Sequence, residues 1–210
     1  MKGTVMLIII CVLVSLLYWY VYPAIVENYF IYSGNRAAQG ALWTPITTLF
    51  VHFDPVHLIG NMLFLYVFGN VVEKEAGAKM TLTAFLFGGI GSVIVSSLYY
   101  GLDVAMIGAS GAIFTLAAAA MLIKPLKLSL AFLFIPLGLV AILYFIFNVF
   151  AVTYGVGGNV GYVAHVAGFL IGIPFGIAFS KGEWAKNLGI TLLLLVAFVA
   201  IIFLIQFLLL

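Results

Sequence analysis

The chain has 210 residues, of which 66% are hydrophobic and only 7% charged, with a mean hydropathy of +1.33. A soluble domain carries about a quarter charged residues, so this chain cannot cover a globular surface with charge. A net charge of +2 makes no basic patch and excludes nucleic-acid binding. The lone cysteine, Cys11, excludes a disulfide framework and a thiolate metal site. A membrane span needs about 20 residues, which predicts an all-α, polytopic helical bundle.

Runs free of Asp, Glu, Lys and Arg mark the spans in chain order: 3–26, 55–72, 80–102, 104–123, 128–180 and 187–210. The run 128–180 is long enough for two helices. Its Gly-rich stretch from Thr153 to Asn159 is a turn signal and divides it, so seven spans are predicted. The runs are continuous, not alternating with period two, which excludes a β-barrel. With the N-terminus in the cytoplasm, Lys2, Lys74, Lys79, Lys124, Lys127, Lys181 and Lys186 all face inward, and only Arg36 faces out. This orientation puts the C-terminus outside and predicts an integral multi-pass protein of the cell membrane. The stretch from Thr4 to Val21 lacks a small-x-small cleavage site and reads as an anchor. The external loop, about 27–54, contains Trp43-Thr44-Pro45 and is expected to pack on the membrane. The expected organisation is a six-helix core over 1–180, then a short cytoplasmic link and an additional transmembrane helix over 181–210.

Polar side chains inside spans are costly, so each is a functional candidate. The second span carries His57 and Asn61, four residues apart and hence on one helical face. The fourth opens with Gly108-Ala109-Ser110-Gly111-Ala112, and the sixth carries His165 ahead of Gly168, Gly172 and Gly176. Under the predicted topology the second, fourth and sixth spans all run inward. His57, Asn61, Ser110 and His165 then share one depth near the outer side.

A serine hydroxyl needs a base to become a nucleophile, and His165 is the histidine at that depth on a separate helix. Acyl transfer also needs donors for the developing oxyanion. Asn61, His57 and the backbone N–H of Ser110, at a helix start, supply them. Small residues in the row Gly161, His165, Gly168, Gly172 let the sixth helix press on the fourth. No acid lies on those faces, so the arrangement predicted is a Ser–His dyad, without metal or cofactor. Each feature alone has a structural alternative. The Gly-Ala-Ser-Gly-Ala stretch is also a helix-packing motif, and a membrane histidine is also a strut or part of a proton path. His52 reads as structural, and Glu73 as a solvated or loop-pinning acid. Asn148 either lines a cavity or bonds another helix.

These residues together resemble the rhomboid intramembrane serine proteases. His52-x-x-x-x-His57-x-x-x-Asn61, Gly108-x-Ser110-Gly111 and Ala164-His165-x-x-Gly168 are similar to that family's motifs, as is Gly69-x-x-x-Glu73. The similarity runs from about residue 40 to 180, and the seventh span resembles the family's six-plus-one arrangement. The resemblance implies Ser110 as nucleophile, His165 as general base, and Asn61, His57 and the Ser110 amide as oxyanion hole. Gly108, Gly111, Phe114 and Gly168 would shape the site. It implies cleavage of the transmembrane helices of other proteins near the outer boundary, at small residues with helix-weakening residues below. It also makes the fifth helix, about 130–152, a lateral gate, in which Phe132, Phe134, Phe145 and Phe147 are either bulky gate residues or lipid-facing, the second being the reading favoured here. In two places the chain departs from the family pattern. Phe114 replaces a tyrosine that would stack under the histidine, and Thr44 replaces an arginine that Arg36 does not obviously supply. A transporter would be expected to show internal repeats and interrupted helices, which the sequence lacks. A non-catalytic relative typically lacks the serine or the histidine, and both are present.

Overall fold

A computed structural model describes residues 2–156 and 161–209; residues 157–159 of the predicted turn Thr153–Asn159 lie outside the described residues. Helix α1 (Lys2–Leu16) continues as a π-helical turn, Leu17–Val21. Three short helices follow: α2 (Pro23–Phe30), α3 (Gly34–Ala38) and α4 (Thr44–Thr47). Then come α5 (Pro55–Ala76), α6 (Ala78–Tyr100), α7 (Ser110–Ile123), α8 (Leu137–Thr153), α9 (Tyr162–Phe179) and α10 (Trp184–Leu209). Five stretches among the described residues are long and apolar enough to cross a membrane, and α7 and α8 are shorter apolar helices. The seven predicted spans are thus seven helices of a polytopic bundle. Its exposed surface is rich in large apolar side chains, as in Leu193, Val196, Phe203 and Phe207 of α10, as an integral membrane protein requires.

Helix α7 is the central element and touches α5, α6, α8, α9 and α10. Every residue after its first is buried. Its Ala117–Ala120 run lets neighbours approach closely. At 14 residues it is about 21 Å long, against about 30 Å of hydrocarbon. The prediction that this span begins at 104 is therefore corrected. Gly101 and Gly108, at φ 109° and 108°, turn the chain inward as a non-helical segment before α7 starts. That segment is pinned by backbone bonds from Met106 N–H to the Tyr32 carbonyl (2.8 Å), Asn35 N–H to the Leu102 carbonyl (3.0 Å) and Gly108 N–H to the Thr48 carbonyl (3.1 Å). Thr48 Oγ1 also donates to the Met106 carbonyl.

The loop region over 27–54 is ordered by its own side chains. Arg36 donates to the carbonyls of Glu27 (2.6 Å), Ile31 (3.1 Å) and Asn28. Trp43 donates to the Tyr29 carbonyl at 2.8 Å. Arg36 thus ties together the first part of this loop.

At the opposite end, Glu73 is buried, not solvated. Its carboxylate accepts from Gly3 N–H (3.0 Å), Thr4 N–H (2.8 Å) and Thr4 Oγ1 (2.6 Å), and so satisfies the open amides at the start of α1. Glu75 lies near Lys124 (3.6 Å) and Lys181 (3.8 Å) at the same end.

The fifth-span aromatics divide differently from the prediction. Phe132 and Phe134 precede α8 and are not in it, because the chain reverses through left-handed Leu133 and Phe134 and closes a bridge from Leu128 to Pro136. Phe132 packs on Phe64 (4.9 Å between ring centres), and Phe145 stacks on Phe169 (4.4 Å). Phe134 and Phe147 are exposed. Only the latter pair faces outward as predicted.

Candidate active site

Asp54, Pro55 and His57 form a helix-start signal. Asp54 caps α5 by accepting from His57 N–H at 2.7 Å, and Pro55 takes the first helical position, where its missing N–H costs nothing. This cap fixes where α5 begins, and His57 and Asn61 on its first turns lie beside Gly108, just ahead of α7. Phe53 N–H donates to His57 Nδ1 at 3.4 Å, leaving the proton of a neutral ring on Nε2. A Cβ at Gly108 would lie 2.9 Å from that Nε2 and 3.9 Å from Asn61 Nδ2. Glycine at 108 is thus required twice, by its positive φ and by the histidine edge against it. Asn61 Nδ2 also donates to the His57 carbonyl at 3.0 Å.

His52, read as structural, is fully buried beneath the same loop. Ala109 N–H points to its Nε2 at 3.5 Å, and its Nδ1 lies 3.2 Å from Ser15 Oγ. It ties α1 to the residue immediately before Ser110.

Ser110 opens α7 and is half-buried. The first amides of a helix have no intrahelical partner, and the Ser110 N–H is one of them, two residues after the Gly108 that lies against His57 Nε2. Ser110 Oγ lies 2.8 Å from Nε2 of His165. The two helices meet through glycine. A Cβ at Gly168 would fall on the carbonyl oxygen of Gly111 and 3.2 Å from its α-carbon, and one at Gly176 would lie 2.9 Å from Leu122 Cβ. Thr115 Oγ1 bonds across the seam to the Gly168 carbonyl at 2.8 Å. The Phe114 ring lies flat on the imidazole, 4.5 Å between centres and 9° between planes, so stacking survives without a tyrosine hydroxyl.

The structure brings together all eight residues singled out in the sequence: His57, Asn61, Gly108, Ser110, Gly111, Phe114, His165 and Gly168. It adds one whose role the sequence left open. Asn148 on α8 is buried, with its Oδ1 2.7 Å from His165 Nδ1 and its Nδ2 donating to the Tyr144 carbonyl at 2.7 Å. The available signal was a single carboxamide in an otherwise apolar span. Among the described residues no three His, Cys, Asp or Glu side chains converge as a metal site would require.

A helical membrane bundle that holds a hydrogen-bonded serine and histidine at the mouth of its central helix is a specific class of membrane protein. Comparison with known proteins gives that class its family. A family model, the Rhomboid domain, matches residues 39–182, and the chain belongs to the rhomboid family. It is 40% identical over 79 residues to Rhomboid-like protein 11, chloroplastic, of Arabidopsis thaliana, covering 38% of this chain and 28% of that protein. It is 32% identical over 73 residues to RHOMBOID-like protein 12, mitochondrial, of the same plant, covering 35% and 22%. It is 23% identical over 176 residues to Rhomboid protease GlpG of Yersinia pestis, covering 81% and 60%. The matched stretches span between a fifth and three fifths of these relatives' lengths.

Proposed function

We propose that this protein is an intramembrane serine endopeptidase that cleaves transmembrane segments of other membrane proteins within the bilayer, near its outer boundary. The observation that carries this reading is the 2.8 Å approach of Ser110 Oγ to His165 Nε2, inside a bundle of the rhomboid family. In the first step Ser110 Oγ attacks the scissile carbonyl carbon while its proton passes to Nε2. The carbonyl oxygen takes up the negative charge in the space bounded by Asn61 Nδ2, His57 Nε2–H and the Ser110 amide, donors already oriented before the reaction. Collapse breaks the C–N bond, and the leaving amine takes the proton from His165. Water, deprotonated by the same histidine, then frees the acyl chain from Ser110. No metal or organic cofactor takes part in this scheme.

A helical substrate shields its own peptide bonds, so it must unwind locally before attack. Glycine or proline near the cut lowers that cost. The entry route in this reading lies between α5 and α8. There Phe64 meets Tyr144 and Phe132, with ring centres 4.8 and 4.9 Å apart. The lysine-rich end faces the cytoplasm of a cell membrane, and Ser110 opens toward the other side. Residues 1–180 form the peptidase core, and 181–210 add a link and α10.

The test is covalent labelling of the purified chain by a fluorophosphonate probe. Wild type is expected to label and Ser110→Ala is not. Equal labelling of both would sink the nucleophile assignment.

A further inference from the structure

We propose that Asn148 is the positioning residue of this site: it fixes which nitrogen of His165 carries the proton. The proposal rests on the serine-peptidase reading only for its consequence on rate, not for its geometry. Tyr144 presents a backbone carbonyl, which only accepts. The Asn148 atom facing it at 2.7 Å is therefore the amide N–H, and the amide oxygen is the atom left to face His165. That oxygen also only accepts, so Nδ1 of a neutral imidazole is the protonated nitrogen and Nε2 is bare. A bare Nε2 is what the Ser110 hydroxyl needs 2.8 Å away. Each bond thus points the same way: Ser110 O–H to Nε2, Nδ1–H to Asn148 Oδ1, and Asn148 Nδ2–H to the carbonyl of Tyr144.

With Asn148 removed, nothing in this chain of bonds selects the tautomer. In the opposite tautomer Nε2–H donates to the serine oxygen and cannot receive its proton. Asn148 is 2% exposed, so in the folded chain its Oδ1 and not bulk solvent faces Nδ1, and a size-matched leucine there fills the space that a water would otherwise take. Tyr144 and Asn148 stand one helical turn apart on α8, and the Phe145–Phe169 stack at 4.4 Å holds that helix to α9, which carries His165. The Phe114 ring against the imidazole face restrains its tilt. A carboxamide supplies direction without a charge, whereas a carboxylate within the span would carry a large desolvation cost.

The experiment is nitrogen NMR of isotope-labelled histidine in the full chain in micelles, read beside fluorophosphonate labelling rates. The chain has three histidines, so His165 is assigned by the signal lost in His165→Ala. Wild type is expected to show His165 as the Nδ1–H tautomer. Asn148→Ala and the size-matched Asn148→Leu are expected to shift it toward Nε2–H and to slow labelling by about tenfold or more. Asn148→Asp, which keeps an acceptor, is expected to restore Nδ1–H. Either apolar variant suffices if the other does not fold. An Asn148→Leu or Asn148→Ala protein that keeps the Nδ1–H tautomer overturns the proposal. If the tautomer shifts while neither wild type nor variants label, the positioning role stands and the peptidase reading fails. If wild type labels and the apolar variants match it in rate and tautomer, the peptidase reading stands and the positioning role fails.

Discussion

His52 shows what a single buried side chain costs and supports at this site. Ala109 N–H points to its Nε2, so Nδ1 carries the proton and donates to Ser15, whose hydroxyl donates to the Phe50 carbonyl at 3.4 Å. Burial, and then the nearby charge of His57, hold its pKa down to about 3 from 6.5. The folded chain therefore keeps His52 neutral while the unfolded chain protonates it below about pH 6.5. Between those values the unfolded state binds the extra proton, so this contribution to stability is complete above 6.5 and is lost as pH falls toward 3. The thermal midpoint in detergent is expected to drop between pH 7 and about 4.5, and to drop less in His52→Gln, which cannot charge. An equal drop in both would assign the acid sensitivity elsewhere. At this scale the sequence was informative because polar atoms in hydrocarbon are few: Ser110, His165, Asn61 and His57 stood out by cost alone. Asn148 stood out equally but stayed unassigned, because its partner lies on another helix and no spacing along the chain encodes that contact.

At the scale of elements, the α7–α9 seam decides whether serine and histidine meet. Gly168, Gly172 and Gly176 remove the side chains that would hold the helices apart, since a Cβ at each would press on Gly111, on Thr115 and Ala118, or on Leu122 respectively. Gly168→Val is expected to destabilise the chain by about 1–3 kcal/mol through overpacking. It should also slow fluorophosphonate labelling at least about tenfold, because it moves His165 off Ser110. A Cβ at Gly189 on α10 would meet nothing within 4 Å, so Gly189→Val is the control and should behave as wild type. A Gly168→Val protein with wild-type labelling would show that the seam does not set the pair. The glycine row was legible from its helical spacing. The late start of α7 was not, because residues 104–109 are as apolar as a span and only their bonds to Tyr32, Thr48 and His52 keep them non-helical.

For the whole molecule, α10 braces the core from one side. Most of that helix is exposed, but Asn187 is buried and donates to the carbonyls of Leu122 (2.8 Å) and Ile123 (3.1 Å), the unpaired end of α7. A chain ending after Ser180 is expected to retain fluorophosphonate labelling but unfold at lower temperature, and Asn187→Leu to lose about 1–3 kcal/mol by stranding those carbonyls. A truncated chain that folds yet does not label would make α10 part of the core. The class of protein, the number of long apolar helices and the candidate polar set were all legible before any fold was known. They follow from one-dimensional quantities: the length of apolar runs against the bilayer, the distribution of lysines, and the rarity of polar residues between them. The late start of α7 at Ser110, the anchoring by Arg36 and Glu73, and the bond from Asn148 to His165 exist only in the folded chain. Glu73 and Asn148 each bond to a different helix, and Arg36 reaches carbonyls that only the folded loop presents to it; such partners are selected by packing geometry, which hydropathy and spacing do not contain.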